Sequence, residues 1–146
     1  GEFDYVFSRY SAHHWSDLGQ ALREVRRVLK PGGVAAFIDV ISPGSPLFDT
    51  YLQSVEVLRD TSHVRDYSAG EWLRQASEAG LHTRSTLRQR LRLEFGSWIA
   101  RMRTPVAMSV AIRALQQSMG SEVREYFEIE ADGSFSTDVL VLWAEK

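Results

Sequence analysis

Residues 9–14 carry the side chains best suited to acid–base and anion chemistry. Arg9, His13 and His14 follow directly after the short apolar stretch Tyr5–Phe7. Imidazole titrates near neutral pH, so either histidine is a candidate general base. A guanidinium group holds anionic oxygens well, which makes Arg9 a candidate anchor for a substrate oxygen. The alternative is that the histidines cap or bridge the start of a helix at Ser16. Adjacent side chains in an extended chain point apart, so we expect no joint metal site and predict no metal ligands.

A second group of polar residues follows a predicted helix. Arg59, His63 and Arg65 are candidates for the rim of a substrate site, and Trp98 is a candidate for the same cover. In the alternative interpretation Arg59 and Asp60 form an ion pair at the helix end, the rest is a solvated loop, and the tryptophan is a packed core residue. The sequence leaves both interpretations open.

Asp39 stands between Ile38 and Val40 in an otherwise apolar run. An unpaired charge buried there would be costly. We therefore expect this carboxylate to lie at a strand end or to pair with a donor, in a substrate-side or a structural role.

The elements that must position these residues alternate between strands and helices. Tyr5–Phe7 is apolar on both faces and predicts a buried parallel strand, and the run 34–41 predicts a second one. Between them a helical repeat of apolar residues follows Ser16, a possible cap, and Lys30–Gly33 predicts the turn that ends the helix. These elements form a βαβ unit, whose crossover is expected to be right-handed.

Residues 46–146 continue the alternation of helices and strands. The predicted features are a helix from Pro46, a capping box at Ser68–Glu71, a strand over 83–95, a helix from Pro105 to about Gly120, a hairpin-type turn at Asp132–Gly133, and a buried strand over 139–143. We predict a single α/β domain over residues 1–146, in the order β-α-β-α-α-β-α-(α)-β.

Open α/β sheets bind their ligands beyond the carboxyl ends of the strands. That rule places a polar set at a crevice after the first strand: Ser8, Arg9, Tyr10, His13 and His14. Asp39 lies near the carboxyl end of the next strand. The crevice between these two strand ends is the predicted site.

Composition excludes several classes of function. The 146 residues carry a formal net charge of -2, and they include no cysteine that could form a disulfide or a thiolate site. No apolar run reaches membrane-spanning length and no signal peptide opens the chain, so a cytoplasmic location is expected by default. A row of arginines alternates with apolar residues at 84, 88, 90 and 92. A solvated strand face explains this row, and no nucleic-acid partner is predicted.

Several segments together resemble the small-molecule methyltransferases related to ubiquinone and menaquinone C-methylation. The segments that carry this resemblance are Phe3–Tyr10, Ala12–Trp15, Ala21–Gly33 and Leu58–Arg65. The resemblance implies a class I fold that uses S-adenosylmethionine, with Ser8, Arg9 and Tyr10 on the cofactor side and a small molecule as methyl acceptor. It further implies that the chain holds strands four to seven of the family's sheet, the last one antiparallel.

The sequence also departs from this family. The glycine-rich cofactor loop and the acidic residue that holds the ribose are not found, and Gly32–Gly33 follows a helix instead of a strand. We therefore expect a domain truncated at its N-terminus, with very weak cofactor affinity on its own, so that the isolated chain is expected to be inactive. The first strand would then be a bare edge, which predicts a homodimer or pairing with an N-terminal portion. The alternative is a non-catalytic, vestigial or assembly fragment, and another Rossmann-like enzyme such as a reductase ranks last.

Overall fold

The computed structural model describes residues 1–146 as four strands and six helices. The strands are β1 (Phe3–Arg9), β2 (Leu29–Ile41), β3 (His82–Leu93) and β4 (Phe135–Glu145). The helices are α1 (Leu18–Val28), α2 (Pro46–Arg59), α3 (Ala69–Glu78), α4 (Phe95–Arg101), α5 (Val106–Ser118) and α6 (Ser121–Tyr126). A short 3₁₀ turn, Ala12–His14, follows β1. No helix is long and apolar enough to cross a bilayer.

The four strands form one mixed sheet in the order β1-β2-β4-β3. β1 runs parallel to β2, with Phe7 opposite Ala36 and Arg9 opposite Ile38. β4 is antiparallel to both of its neighbours, β2 and β3. The predicted α/β class, the parallel βαβ unit and the antiparallel last strand are therefore confirmed.

Two apolar cores lie against the sheet. The first joins β2 and β4 to α1 and α3 and includes Leu22, Phe37 and Trp72. The second is built from α2, α4, α5 and α6 and includes Tyr51 and Trp98. The second core meets the sheet at the carboxyl end of β2, which is where the predicted site lies.

Helix caps explain where two of the helices begin. Ser68 and Glu71 form the predicted capping box, in which Ser68 Oγ accepts from the Glu71 amide and the Glu71 carboxylate accepts from the Ser68 amide. At α1 the prediction was wrong by one residue, because Asp17 and not Ser16 is the cap. The Asp17 carboxylate accepts from the Gln20 amide, and a carboxylate is also favoured at the positive end of the helix dipole.

The apolar pattern of the first strand is typical of a buried strand, but the predicted strand order makes it a bare edge, and the structure shows the bare edge. β1 lies at the edge of the sheet, and Phe3, Tyr5 and Phe7 are exposed at 51%, 76% and 63%. Only Val6 packs against the first core. The apolar pattern of this strand therefore marks a sheet face that no helix of this chain covers.

Two predicted turns also differ from the structure. Lys30–Gly33 belongs to β2, with Gly32 at a φ of +74° that favours glycine, so the helix ends at Val28 and the strand follows at once. Asp132–Gly133 does not join two strands, because α6 and not a strand precedes it. The partners of β4 come from distant parts of the chain, which no local turn signal reveals.

The arginine row of β3 faces outward and forms ion pairs. Arg84 pairs with Glu145, Arg90 with Asp138 and Arg92 with Glu130. Three of the four guanidinium groups are paired within the chain and Arg88 is exposed, so the row is explained as a solvated strand face, as predicted.

Candidate functional site

A histidine and an aspartate meet where β1 and β2 end. The 3₁₀ turn after β1 brings His13 over the carboxyl end of β2, where Asp39 is 3% exposed. The distance between Nδ1 of His13 and Oδ1 of Asp39 is 2.8 Å. Asp39 also accepts from the amides of His13 and Val40. The prediction that the buried carboxylate pairs with donors is confirmed.

This hydrogen bond selects one form of the imidazole. An ionised carboxylate only accepts, so Nδ1 of His13 carries the proton and donates it to Asp39. The lone pair of the neutral ring is then on Nε2. Burial alone would lower the pKa of His13, but the hydrogen bond and the charge of Asp39 outweigh it and raise the pKa. The pair has the chemistry of an oriented general base.

His14 has different partners and does not cap α1. Its Nδ1 lies 3.1 Å from the carbonyl oxygen of Ser62, and its Nε2 lies 3.8 Å from Oδ2 of Asp60. The rings of His13 and His14 are 4.2 Å apart between centroids. They do not point apart as predicted for extended chain, because the helical turn places both on the side facing residues 60–63.

A cavity of about 180 Å³ opens beside this pair. Its lining residues are Tyr10, His13, His14, Val40, Glu56, Arg59, Leu91, Leu93, Trp98, Arg101 and Met102. Five residues predicted for the site line it: Tyr10, His13, His14, Arg59 and Trp98. A larger groove of about 510 Å³ lies along α4 and α5, but it holds no histidine or carboxylate. The smaller cavity is therefore the candidate active site.

Arg59 and Trp98 form one wall of the cavity. The guanidinium carbon of Arg59 lies 4.9 Å from the centroid of the Trp98 ring, and its Nε donates to the Trp98 carbonyl oxygen at 2.9 Å. The indole is 2% exposed and packs edge-on against Phe135. The helix-end pair of Arg59 with Asp60 is not observed, and the tryptophan is both a core residue and a cavity residue.

Three predicted site residues lie away from the cavity. Arg9 is exposed, with its guanidinium carbon 5.1 Å from the centroid of the Tyr10 ring, so its predicted role as an acceptor anchor is not supported by its position. The Ser8 hydroxyl lies 3.4 Å from that of Ser11. Arg65 pairs with Glu71 and Asp49, because α2 and α3 bring two carboxylates to it. These ion pairs account for the position of Arg65, and its substrate-side role stays a prediction.

His63 is buried behind the cavity, beside two carboxylates that the sequence analysis missed. Glu56 lies on α2 and Asp66 on the loop that follows, and both are buried. Burial, partly opposed by the charges of Arg59 and His13, raises the pKa of Glu56 to about 7. Burial also raises the pKa of Asp66 well above its usual range, and it lowers the pKa of His63 to about 4. The sequence does contain a sign that Glu56 is buried, because this residue stands among the apolar residues of α2, next to Val55.

Comparisons with known proteins agree on one class. Residues 1–37 match the family model described as a methyltransferase domain. The chain is 56% identical over 144 residues to YafE, an uncharacterized protein of Escherichia coli. The aligned region covers 99% of this chain and 70% of YafE. It is 36% identical over 125 residues to YcgJ of Bacillus subtilis, an uncharacterized methyltransferase, which covers 86% of this chain. The chain spans only 49% of the length of YcgJ.

Solved structures give the same result. The structure of a protein of Bacillus halodurans that is proposed to be a methyltransferase superposes with a TM-score of 0.94 at 28% identity, over 99% of this chain and 70% of that one. The structure of YcgJ superposes with a TM-score of 0.93 at 33% identity, over 99% of this chain and 64% of that one. Both structures therefore contain the four-stranded sheet and its helices within a longer chain.

Proposed function

The chain belongs to the class I S-adenosylmethionine-dependent methyltransferases, and on that premise we propose that it forms the acceptor side of an active site for a small hydroxylated ring compound. The observation that carries this proposal is the 2.8 Å pair of His13 and Asp39 beside a cavity of about 180 Å³. The cavity is smaller than the roughly 300–1,000 Å³ typical of ligand pockets, so it has room only for a small acceptor.

We assign the four strands to the fourth to seventh strands of the family's sheet. The order β1-β2-β4-β3, with β4 antiparallel to both neighbours, supports this assignment. The cofactor would then lie beyond the carboxyl end of β1. Gly32–Gly33 lies at the other end of β2 and cannot serve as its glycine loop.

The residues present fit part of the cofactor site. Ser8 and Arg9 end β1, and Tyr10 follows with a φ of +51° that turns the chain toward the cavity. The Ser8 hydroxyl makes only a long contact with Ser11, so it retains hydrogen-bonding capacity for a ligand. When bound, S-adenosylmethionine supplies an electrophilic methyl group on a sulfonium sulfur. Because these residues offer one wall and no glycine loop, we expect the chain alone to bind the cofactor weakly.

His13 is the proposed general base. Its Nε2 takes a proton from a hydroxyl group of the acceptor as the acceptor becomes nucleophilic, and Asp39 stabilises the resulting imidazolium. Asp39 also fixes the ring, so little reorganisation is needed when the proton moves. His14, held by Ser62 beside the same cavity, positions the acceptor from the side.

The aromatic and basic wall completes the acceptor site. Trp98, Leu91 and Leu93 give the cavity an apolar surface suited to a ring. Arg59 and Arg101 place positive charge next to it, which favours the anionic oxygen that forms when the hydroxyl loses its proton. The resemblance in sequence implies only a small-molecule acceptor, and this combination of an apolar wall and positive charge would suit a quinol within that class.

The acceptor site is testable with menadiol, a simple naphthoquinol kept reduced under nitrogen. We expect titration with menadiol to shift the Nε2 resonance of His13 and the indole resonance of Trp98 in long-range proton–nitrogen NMR spectra. The Nδ1 signal of His13 should be that of a protonated nitrogen. His82, exposed at the start of β3, provides the internal control and should not shift. Saturable shifts at His82 with none at His13 would place the acceptor elsewhere.

A second proposal concerns the bare face of the sheet. Tyr5, Phe7, Val34, Ala36 and Trp143 line an apolar hollow of about 160 Å³ on this face, together with Val6. β1 is an edge strand, so the backbone groups on its outer side have no strand partner. An edge strand can pair with the same strand of a second copy about a two-fold axis, which is the commonest oligomer symmetry. We propose that the isolated chain forms a homodimer through this edge and face.

Light scattering at micromolar protein concentration checks the dimer. We expect a mass of about twice 16.6 kDa for the wild-type chain. Phe7→Lys should shift the chain to monomer, because a lysine on an exposed edge opposes strand addition. A wild-type chain that is monomeric under these conditions contradicts the proposal.

A further inference from the structure

Asp66 is the least satisfied charged group in the molecule. It is 0% exposed, and neither of its carboxylate oxygens has a hydrogen-bond partner. Its backbone is well held, since the Asp66 amide donates to Oε1 of Gln53 at 3.0 Å and its carbonyl oxygen accepts from Nε2 of Gln53 at 2.8 Å. The carboxylate is therefore fixed in a buried position without a donor, which is costly unless a cation completes it.

His63 has an unprotonated ring nitrogen near the carboxylate of Asp66. Its Nε2 lies 2.7 Å from Oε1 of Gln53. The amide orientation of Gln53 is set by its two bonds to the Asp66 backbone, so Oε1 accepts and Nε2 of His63 must carry the proton. Nδ1 is then unprotonated, and this atom is buried without a partner. A histidine whose far nitrogen donates to a fixed oxygen is the usual arrangement of a metal ligand.

Glu56 is the third member of the group. Its carboxylate lies 3.9 Å from Nδ1 of His63. Donor atoms of Glu56, His63 and Asp66 all lie within 4.8 Å of one another. Atoms that bind one ion at about 2.0–2.2 Å stand roughly 3–4 Å apart. A small rotation of the two carboxylates would bring the three donor atoms to that spacing.

The neighbouring cations are engaged elsewhere. Arg59 donates to the carbonyl oxygen of Trp98 and lies over its ring. Arg65 donates to both oxygens of Glu71 and pairs with Asp49. Neither guanidinium group donates to Asp66. Glu56 and Asp66 therefore share a buried site in which neither carboxylate receives a hydrogen bond from a guanidinium group.

We propose that Glu56, His63 and Asp66 bind one divalent transition-metal ion. One imidazole nitrogen and two carboxylates are a donor set that suits Zn²⁺, and also Mn²⁺ or Fe²⁺. A dication balances the two carboxylates, and Gln53 orients both His63 and Asp66 from behind.

A second group of His13, Asp39 and Asp66 has a similar spacing, but His13 and Asp39 already satisfy each other. The ion would lie behind the acceptor cavity, because Glu56 lines that cavity. This proposal does not depend on the proposed methyl acceptor.

The test uses the full 146-residue chain after treatment with a chelator. Calorimetric titration with Zn²⁺ and separately with Mn²⁺ should show one site, and the bound ion should raise the melting temperature. Asp66→Asn and His63→Gln should each lose the site and the rise in melting temperature. Gln53→Ala should weaken binding by about 10–100-fold, the usual effect of removing an outer partner. His82→Gln, which removes an exposed histidine, should bind as the wild type does.

A further readout separates loss of the site from loss of the fold. Without metal, Asp66→Asn should fold and melt no lower than the wild-type chain, because the amide has the shape of the carboxyl group and carries no charge that would need a partner in this buried place. His63→Gln serves as the second variant if Asp66→Asn fails to fold. The proposal is overturned if the wild-type chain takes up no ion, since the two carboxylates then share a proton. It is also overturned if the variants bind the ion as tightly as the wild type.

Discussion

Replacement of His13 by asparagine is expected to lower the rate of methyl transfer by about 100-fold or more, the usual contribution of a positioned general base. Asparagine can keep the hydrogen bond to Asp39, because its side-chain nitrogen takes the place of Nδ1. It lacks any group at the position of Nε2, which is the atom that accepts the proton. The substitution therefore removes the base while it retains the pairing of the buried carboxylate.

The rate is measured as the transfer of tritium from the methyl group of S-adenosylmethionine to menadiol. Cofactor is supplied in large excess, because the chain alone is expected to bind it weakly. His82→Asn is the matched control and should react at the wild-type rate, since His82 is exposed at the start of β3. Equal rates for His13→Asn and the wild type would show that His13 is not the base.

Replacement of Trp98 by alanine is expected to lower the free energy of unfolding by about 3–5 kcal/mol, as is typical for a large buried aromatic residue. The indole packs against Phe135 at a centroid distance of 5.0 Å and carries the guanidinium group of Arg59 on its face. Alanine leaves a void in the second core and frees Arg59 from the cavity wall. Menadiol binding should be lost together with stability.

Urea unfolding followed by circular dichroism gives the difference in stability. Val110→Ala is the control, because this α5 side chain is 62% exposed and its truncation should be nearly neutral. If Trp98→Ala and Val110→Ala unfold at the same urea concentration, the indole does not hold α4 against the sheet.

Local patterns predicted the elements of this fold well. The apolar run after Gly33 and the capping box at Ser68 and Glu71 were correct because each depends on residues close in sequence. The location of Asp132–Gly133 between two strands was wrong, since the pairing of β3 with β4 spans more than forty residues. The apolar pattern of Tyr5 and Phe7 does not by itself tell whether these side chains are buried, because a strand pattern does not tell which neighbours are present; their exposure follows from the edge position that the strand order predicts.

The site was predicted only in part, because some of its contacts follow from the ends of adjacent strands and others from long-range packing. His13 and Asp39 were found because strand ends meet at one edge of a parallel pair. The ion pairs of Arg65 were not predicted, because Asp49 and Glu71 reach it from two different helices. Asp66 was missed because its burial arises from the packing of α2 against the loop that follows it, which leaves no periodic signal, and the position of Glu56 among the apolar residues of α2 was overlooked.

The most direct measurement of the central claim is the reaction of the wild-type chain itself. With S-adenosylmethionine in large excess, which offsets the weak binding expected of the chain alone, tritium from its methyl group should appear in the organic extract in proportion to the menadiol added, and it should depend on the chain. If cofactor and menadiol are both shown to bind and no label reaches the quinol, the cavity beside His13 is not the acceptor site of a methyl transfer.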